Sequence, residues 1–169
     1  MQTTMKKTIT YYLTLSYVFP SNHPKAGAQT YFKVKTKAAI TKMPCYRVKL
    51  HTIRANYDFW AKRFEKIKTG EACLSIREWI GRPYGKDSYQ REIARLTRED
   101  GIGIQKLEFP FGTLNEAMIE DAERVGMFGG IAHTLARNDG LSLEDWEAWF
   151  KDYDLSKPMA IIHFTPFRY

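Results

Sequence analysis

The order of apolar and polar residues predicts a chain made mostly of β-strands. Strands are typically short runs rich in β-branched and aromatic residues, often with apolar and polar positions alternating. Six segments of this kind occur, at residues 9–19, 30–37, 71–79, 90–97, 102–109 and 159–164. From Lys33 to Lys37 every second residue is a lysine. That alternation predicts a strand with a basic outer face at 30–37.

Four other segments carry the spacing or the capping residues of helices. They are residues 56–66, 113–125, 131–137 and 142–150. Asn56 and Ser142 are placed to cap the first and the last of these helices. Thr113 and Glu116 fit a capping box that opens the second. Helices inserted among strands, without a regular βαβ alternation, indicate an α+β fold.

The amino-acid composition is typical of a globular protein. The 169 residues favour a single domain, and 44% hydrophobic and 14% aromatic residues favour a folded chain. No apolar run is long enough to span a membrane and no convincing signal sequence is present, so we expect a cytoplasmic protein. Cys45 and Cys73 match no zinc or redox pattern and are expected to be reduced thiols. Because His23, His133 and His163 fall in different predicted elements, no metal or cofactor is predicted.

Positive charge is concentrated in the first part of the chain. Residues 1–57 contain ten Lys or Arg and no acid, and the first acid is Asp58. Residues 1–70 carry 14 basic and 2 acidic side chains, whereas residues 71–169 carry 12 and 17. If the basic part forms one face, that face attracts phosphate, which favours RNA or a nucleotide as partner. The alternative is that these lysines decorate strands and contribute only solubility.

The end of the basic segment holds a dense set of reactive side chains. Lys49-Leu50-His51-Thr52-Ile53-Arg54 places an amine, an imidazole, a hydroxyl and a guanidinium within six residues. If the backbone turns here, Lys49 and Thr52 converge, and a lysine with a lowered pKa can take the proton of a threonine nucleophile. Arg54 suits a phosphate or a carboxylate. Spacing alone favours a plainer alternative, a strand end with a solvent-reaching lysine and a structural threonine.

Two acids are candidates to complete such a site. Asp139 lies in the turn Asn138-Asp139-Gly140, directly before a predicted helix, where functional groups often collect. Its alternative role is to stabilise that turn. Glu78, beside Arg77 and Trp79, is the second candidate, and its alternative role is a surface ion pair.

Aromatic and basic residues are interspersed in the middle of the chain. Trp79, Tyr84 and Tyr89 alternate loosely with four cations, Arg77, Arg82, Lys86 and Arg91. Aromatic rings among cations suit the stacking of bases along a phosphate track. Packing within and around the core explains the same pattern equally well.

Together these residues resemble the ASCH family of the PUA-like superfamily. The similarity covers residues 46–165, with an insertion at about 80–130, and begins at Lys49-x-x-Thr52-Ile53-Arg54. It continues in residues 69–77, in Asn138-Asp139-Gly140-Leu141 and in the closing strand at 160–164. Residues 1–45 form an N-terminal extension. In it, Leu13-Thr14-Leu15-Ser16 and Phe19-Pro20-x-x-His23-Pro24-Lys25-x-Gly27 are similar to a bacterial, Bacteroides-type branch.

The resemblance implies a small β-barrel with helices around it and a cleft lined by the signature residues. One branch, the small bacterial acetylcytidine amidohydrolases, uses a lysine, a threonine and a glutamate. These correspond to Lys49, Thr52 and Asp139 in this chain. The aspartate is one methylene shorter than that glutamate, and misplacement on this scale can cost about 100-fold in rate. Binding is therefore favoured over catalysis.

The leading expectation is an RNA- or modified-nucleoside-binding protein with a basic cleft. The residues expected to contact the ligand are His51, Arg54, Arg77 and Trp79. The alternative is an amidohydrolase acting on an acylated nucleoside, with Thr52 as nucleophile, Lys49 as its base and Asp139 as an acid or orienting group. A third possibility is a phage- or mobile-element-associated accessory protein that acts through protein contacts.

Overall fold

The computed structural model describes residues 7–122 and 130–169. Its strands are β1 (Ile9–Leu15), β2 (His51–Ala55), β3 (Ala72–Ile80), β4 (Tyr89–Leu96), β5 (Gly103–Glu108), β6 (Met118–Ile119) and β7 (Met159–His163). Its α-helices are α1 (Phe32–Thr41), α2 (Tyr57–Lys68), α3 (Ile131–Asn138) and α4 (Leu143–Phe150). Helices and strands are mixed without regular alternation, which confirms the predicted α+β class.

The strands form two sheets. In the first sheet, β3 pairs in parallel with β1 on one side and antiparallel with β4 on the other. The second sheet is antiparallel and has the order β2-β7-β5-β6. Parallel pairing of β1 with β3 requires a crossover connection, and this one contains α1, β2 and α2. The chain therefore leaves the first sheet, adds β2 to the second sheet and returns.

One cluster of buried apolar side chains joins both sheets and the helices. Leu13 of β1 and Leu74 of β3 belong to it from the first sheet, and Ile161 of β7 belongs to it from the second. Trp146 of α4 is fully buried in the same cluster. Each such side chain contributes about 1.5–3 kcal/mol by leaving water. The two sheets are therefore held together by a shared core.

The predicted strand at residues 30–37 is wrong, because this segment enters helix α1. Phe32, Thr36 and Ala39 recur at helical spacing and are buried, whereas Val34 is exposed. A strand would place Phe32 and Val34 on the same face. Alternation over so few residues fits either period, and burial of one helical face against the core decides between them.

The predicted helix that opens at Thr113 is also wrong over its described part. Thr113 makes no capping hydrogen bond, and a 3₁₀ turn follows at Leu114–Glu116. The chain then forms β6, which pairs with Leu107 and Glu108 of β5. This pairing satisfies backbone groups that a helix would have bonded internally. The predicted end of the helix, Val125, lies outside the described residues.

The other predicted helices are confirmed. Asn56 Oδ1 accepts a hydrogen bond from the Phe59 backbone N–H at 3.2 Å, ahead of α2. Ser142 Oγ accepts one from the Asp145 backbone N–H at 3.1 Å, ahead of α4. Each bond satisfies a donor that the first helical turn leaves free. The remaining predicted strands are also present, although β1 ends at Leu15 rather than at residue 19.

Candidate functional site

Four of the predicted site residues surround one closed cavity. Lys49, Thr52 and Arg54 reach it from β2 and the chain just before it, and Asp139 reaches it from the turn between α3 and α4. Its other walls are Leu15, Ser16, Phe32, Ile53, Leu141, Trp149 and Phe150. The fold thus brings Lys49 together with an acid that lies 90 positions away in the chain.

The turn that carries Asp139 is fixed against the start of β2. Leu50 donates its backbone N–H to the Asn138 carbonyl at 2.8 Å. Gly140 has φ +78°, and a Cβ at this position would lie 3.2 Å from Cβ of Lys49. Glycine adopts this conformation without strain and leaves the space free. The close approach places Asp139 against the Lys49 side chain.

Lys49 and Asp139 form a buried ion pair. The Lys49 ammonium donates to the Asp139 carboxylate and, at 2.8 Å, to the Asp139 backbone carbonyl. The two side chains are only 1% and 4% exposed. A buried charge without a partner is strongly destabilising. The pair therefore holds the turn and β2 in their relative positions.

Burial changes the proton affinity of both partners. Desolvation lowers the pKa of Lys49 from 10.5 to about 8, although the Asp139 carboxylate opposes this change. Desolvation also raises the pKa of Asp139, against the opposing effect of Lys49. Lys49 therefore gives up its proton much more readily than a lysine in water does. A lysine that acts as a general base requires this property.

Thr52 and Arg54 add a hydroxyl and a fixed cation to the same cavity. Within the described residues, the Thr52 hydroxyl has no hydrogen-bond partner. Arg54 donates to the backbone carbonyl of Thr14 in β1. Burial lowers the pKa of Arg54, yet a guanidinium stays charged in proteins. The Thr52 oxygen is thus available to a ligand, whereas Arg54 is already held by the protein.

Residues of the N-terminal extension close the cavity. The ring centroid of Phe32 lies 4.1 Å from Lys49 Nζ, which is a cation–π contact. Lys35 Nζ donates to the carbonyls of Thr30 and Gly140, both at 2.8 Å. The space that remains is about 10 Å³, room for about one water molecule. The basic cleft expected from the sequence is therefore shut, and a nucleoside does not fit into it in this arrangement.

His51 lies on the side of β2 opposite to Thr52 and the cavity, because neighbouring residues of a strand face opposite ways. Its Nε2 lies 2.6 Å from the hydroxyl of Tyr169, which also accepts a hydrogen bond from Asn138 at 3.1 Å. Its ring is fully buried beside His163. Burial lowers the pKa of His51 well below 6.5. His51 is therefore neutral at physiological pH and adds no positive charge to the cavity.

Arg77 and Trp79 lie on the outer face of the first sheet and do not line the cavity. The Arg77 guanidinium lies 4.9 Å from the ring centroid of Tyr12 in β1. The rings of Trp79 and Tyr84 are in contact, with centroids 5.0 Å apart. Tyr12 is 54% exposed and Tyr84 is 90% exposed. We call these four residues the aromatic–cation face.

Glu78, the alternative acid, also lies away from the cavity. Its carboxylate accepts a hydrogen bond from Arg91 Nε at 3.1 Å, across the pairing of β3 with β4. The glutamate side chain is buried, whereas the arginine side chain is partly exposed. The expected ion pair is thus present, with one of its partners inside the protein.

Sequence reasoning missed Phe32 and Lys35 beside the cavity and Tyr12 on the aromatic–cation face. A strand at 30–37 would have put Phe32 and Lys35 on opposite faces. The helical spacing of Phe32, Thr36 and Ala39 is the signal that could have found them. Tyr12 has the outward position of an alternating strand, but its neighbour Arg77 is 65 residues further along the chain and pairing is not visible in the sequence.

Within the described residues, no group of three or more His, Cys, Asp or Glu side chains is placed to hold a metal ion. Cys45 and Cys73 are both free thiols. None of the described helices combines the length and the hydropathy needed to cross a membrane. Comparisons of the chain with profiles of protein families, with curated proteins and with solved structures find no match. Its function is therefore inferred from the cavity and the aromatic–cation face.

Proposed function

We propose that this protein binds single-stranded RNA through the aromatic–cation face. Two contacts carry the proposal. The Arg77 guanidinium lies over the exposed ring of Tyr12, and Trp79, two residues further along β3, contacts the exposed ring of Tyr84. Exposed rings stack on bases of any sequence, and cations beside them attract the phosphate backbone. The net charge of +7 favours the same class of partner.

Arg77 is already held in position for this role. Its Nε donates to Ser75 Oγ at 3.3 Å, and another guanidinium nitrogen donates to Gln90 Oε1 at 3.4 Å. Ser75 in turn donates to the carboxylate of Glu92. These contacts keep the guanidinium above Tyr12 before any ligand arrives. Less side-chain freedom is then lost on binding, which favours affinity.

Titration of a labelled single-stranded RNA at two salt concentrations tests the proposal. We expect the Kd to rise with salt, because neutralised phosphates release their counterions. Tyr12→Ala and Arg77→Ala are each expected to weaken binding. Phe111→Ala and Arg98→Ala remove an exposed ring and an exposed cation elsewhere and serve as matched controls. Equal binding by all four variants, or binding that ignores salt, would contradict the proposal.

The proposal places the chain among cytoplasmic ASCH, PUA-like modules. The meeting of Lys49, Thr52 and Asp139 at one cavity supports this placement, since the resemblance requires these positions to line a common cleft. The PUA-like barrel is proposed from the resemblance alone; the described strands form two sheets around one core.

A second candidate function is the hydrolysis of an acyl-amide on a nucleoside such as acetylcytidine. It is favoured by the shared cavity of Lys49 and Thr52. Lys49 has a pKa of about 8, and the Thr52 hydroxyl has no hydrogen-bond partner among the described residues. In the proposed reaction, Thr52 Oγ attacks the acyl carbonyl and Lys49 accepts the hydroxyl proton. The C–N bond then breaks, Lys49 returns that proton to the departing amine, and water hydrolyses the acyl-threonine. Asp139 orients the Lys49 amine throughout.

Incubation with acetylcytidine, with detection of cytidine and acetate, tests the second function. Wild-type protein is expected to release cytidine above the background of Thr52→Ala. Thr52→Ser keeps the hydroxyl and is expected to retain part of the activity. The same background rate in wild type and Thr52→Ala would exclude the reaction. Because the closed cavity holds about one water, turnover requires that the cavity opens.

A further inference from the structure

A groove of about 460 Å³ lies between helix α2 and the start of strand β5. This volume is in the range of ordinary small-molecule sites. The groove shares no lining residue with the Lys49 cavity, and no residue of the aromatic–cation face lines it. We call it the α2–β5 groove. It is a separate place at which a ligand could bind.

Apolar side chains form the floor of the α2–β5 groove. On the side of α2, its lining residues recur every three or four positions and so lie along one face of the helix: Tyr57, Ala61, Phe64 and Lys68. Ile102 and Ile104 line the groove from the other side. A helix rises roughly 16 Å over the eleven residues from Tyr57 to Lys68. The floor is therefore elongated as well as apolar.

The two ends of the groove differ in charge. Arg98 lies at the carboxyl end of α2, where a Cβ on Gly70 would lie 3.3 Å from its guanidinium carbon. Further along β5, Lys106 Nζ lies 5.5 Å from the ring centroid of Tyr57, at the amino end of α2. Helix and strand therefore run in opposite directions. The start of β5 lies at the same end of the groove as Lys68.

Arg168 adds a half-buried cation at this end. Its guanidinium lies against Gly103, where a Cβ would collide with it. It donates to the backbone carbonyls of Gly101 and Thr165, both at 2.8 Å, and of Phe167 at 2.6 Å. These bonds occupy three of its five N–H donors. The guanidinium is therefore held in place and still has donors to offer.

The positive charge at this end is largely uncompensated. No carboxylate of the described residues forms an ion pair with Lys68 or Arg168. Arg98 also lines the groove, but it pairs with Glu99 in an exposed position. Glu65 is the one acid among the described lining residues. Burial lowers the pKa of Arg168, because its charge is partly removed from water.

We propose that the α2–β5 groove binds a fatty acid, with the carboxylate between Lys68 and Arg168 and the alkyl chain along Phe64 towards Tyr57. A cationic end and an elongated apolar floor match a ligand with one anionic end and a long apolar body. A carboxylate suits the remaining donors of a guanidinium, and the chain gains affinity by leaving water. This site goes beyond both candidate functions, since neither uses these residues.

Titration of decanoate into isotope-labelled protein, followed by NMR, tests the site. We expect the backbone amide signals of Gly103 and Ile104 to shift, together with those of α2 from Ala61 to Lys68. Decanol lacks the charge and butyrate lacks the long chain, so these two are the matched ligands. Each is expected to bind at least about tenfold more weakly than decanoate.

Three variants test the two parts of the site. Lys68→Gln is expected to raise the Kd for decanoate about two- to fivefold, the range of an exposed ion pair. Lys66→Gln removes a lysine from the same last turn of α2 that does not line the groove, and it should leave the Kd unchanged. Any effect on the helix dipole is alike in both variants. Ala61→Trp fills the groove, keeps every charge and should abolish binding, with the Tm showing that the protein remains folded.

Several results would overturn the fatty acid as ligand. They are signal shifts that lie outside the groove, equal Kd values for decanoate and decanol, and equal losses of affinity in Lys68→Gln and Lys66→Gln. Without ligand, broadening that grows with protein concentration and is confined to signals of the groove would place a second copy of the chain there instead. None of these results depends on the aromatic–cation face or on the Lys49 cavity. The two candidate functions are therefore tested independently.

Discussion

The closed cavity and the aromatic–cation face contain the same kind of contact in opposite environments. In the cavity an aromatic ring, Phe32, lies over the cation Lys49, and on the outer face Tyr12 lies against Arg77. Lys49 is almost completely buried and pairs with Asp139. Arg77 is half-buried, makes its side-chain hydrogen bonds to neutral groups and lies against a ring that is largely exposed.

Solvent access gives these two contacts different properties. In the cavity, desolvation lowers the pKa of Lys49 and raises the pKa of Asp139, so the pair is suited to the transfer of a proton. On the outer face, water leaves the rings and the guanidinium available to bases and phosphates. The types of residue are alike in the two regions. Burial therefore separates a candidate site for chemistry from a candidate site for binding.

The largest expected effect comes from removing one partner of the buried pair. Asp139→Ala leaves the Lys49 ammonium without a counter-charge, and we expect the free energy of unfolding to fall by about 3–5 kcal/mol. Urea denaturation measures this change. Glu99→Ala breaks an exposed pair with Arg98 and serves as the control. It should change the same quantity by less than about 1 kcal/mol.

A double variant, Lys49→Met/Asp139→Leu, sharpens this test. It is expected to recover most of the lost stability, because no charge then remains buried. If Asp139→Ala destabilises no more than Glu99→Ala does, the charges in the cavity are as well solvated as those on the protein surface. The contrast between the two regions would then be wrong.

His51 of β2 and His163 of β7, which pair with each other, offer a second test of desolvation, through the pH dependence of stability. Burial lowers the pKa of His163 from 6.5 to about 3 and that of His51 well below 6.5. As pH falls below 6.5, the unfolded chain therefore binds protons that the folded protein does not bind. Their contribution to stability is fully present above pH 6.5 and is lost on acidification towards pH 3. The loss is about 1.4 kcal/mol per pH unit for each histidine.

Urea unfolding at neutral pH and at about pH 5 measures this loss. His163→Gln is expected to reduce it, because glutamine has no proton to bind in the unfolded chain. His133→Gln changes an exposed histidine of α3 and serves as the control. Identical pH dependence in the two variants would show that His163 is not held neutral by burial.

The smallest expected effect lies at the exposed end of the aromatic–cation face. Tyr84→Ala removes a ring that contacts Trp79, and we expect RNA binding to weaken by about 1 kcal/mol, roughly fivefold in Kd. Stability should stay unchanged, because Tyr84 is almost fully exposed. The control is Tyr46→Ala, an exposed tyrosine outside this face. Equal losses of affinity in both variants would mean that exposed rings bind RNA wherever they lie.

Local signals allowed several elements to be predicted correctly. The caps of α2 and α4 act over three residues, from Asn56 to Phe59 and from Ser142 to Asp145. The turn at Asn138-Asp139-Gly140 likewise depends on the conformational freedom of one glycine. Both partners of such short-range interactions lie within a few residues of each other, so a short stretch of sequence contains all that the interaction requires. They need no knowledge of the rest of the fold.

Helix α1 and strand β6 could not be predicted in this way. Lysines that alternate with apolar residues are compatible with a strand or a helix, and contact of Phe32, Thr36 and Ala39 with the core selects the helix. β6 exists because β5 offers it an edge to pair with. Both outcomes depend on surfaces contributed by distant parts of the chain.

By itself the sequence determined which reactive groups are present and that Asp139 would lie in a turn before a helix. It also placed Lys49, Thr52 and Arg54 within six residues of each other. Only the tertiary structure decided that Lys49, Thr52 and Asp139 line one cavity, that Phe32 covers Lys49, and that Arg77 belongs to another surface. The physical reason is that a side chain's pKa and its access to a ligand depend on desolvation and on neighbouring charges. Here both are supplied by residues far away in the chain.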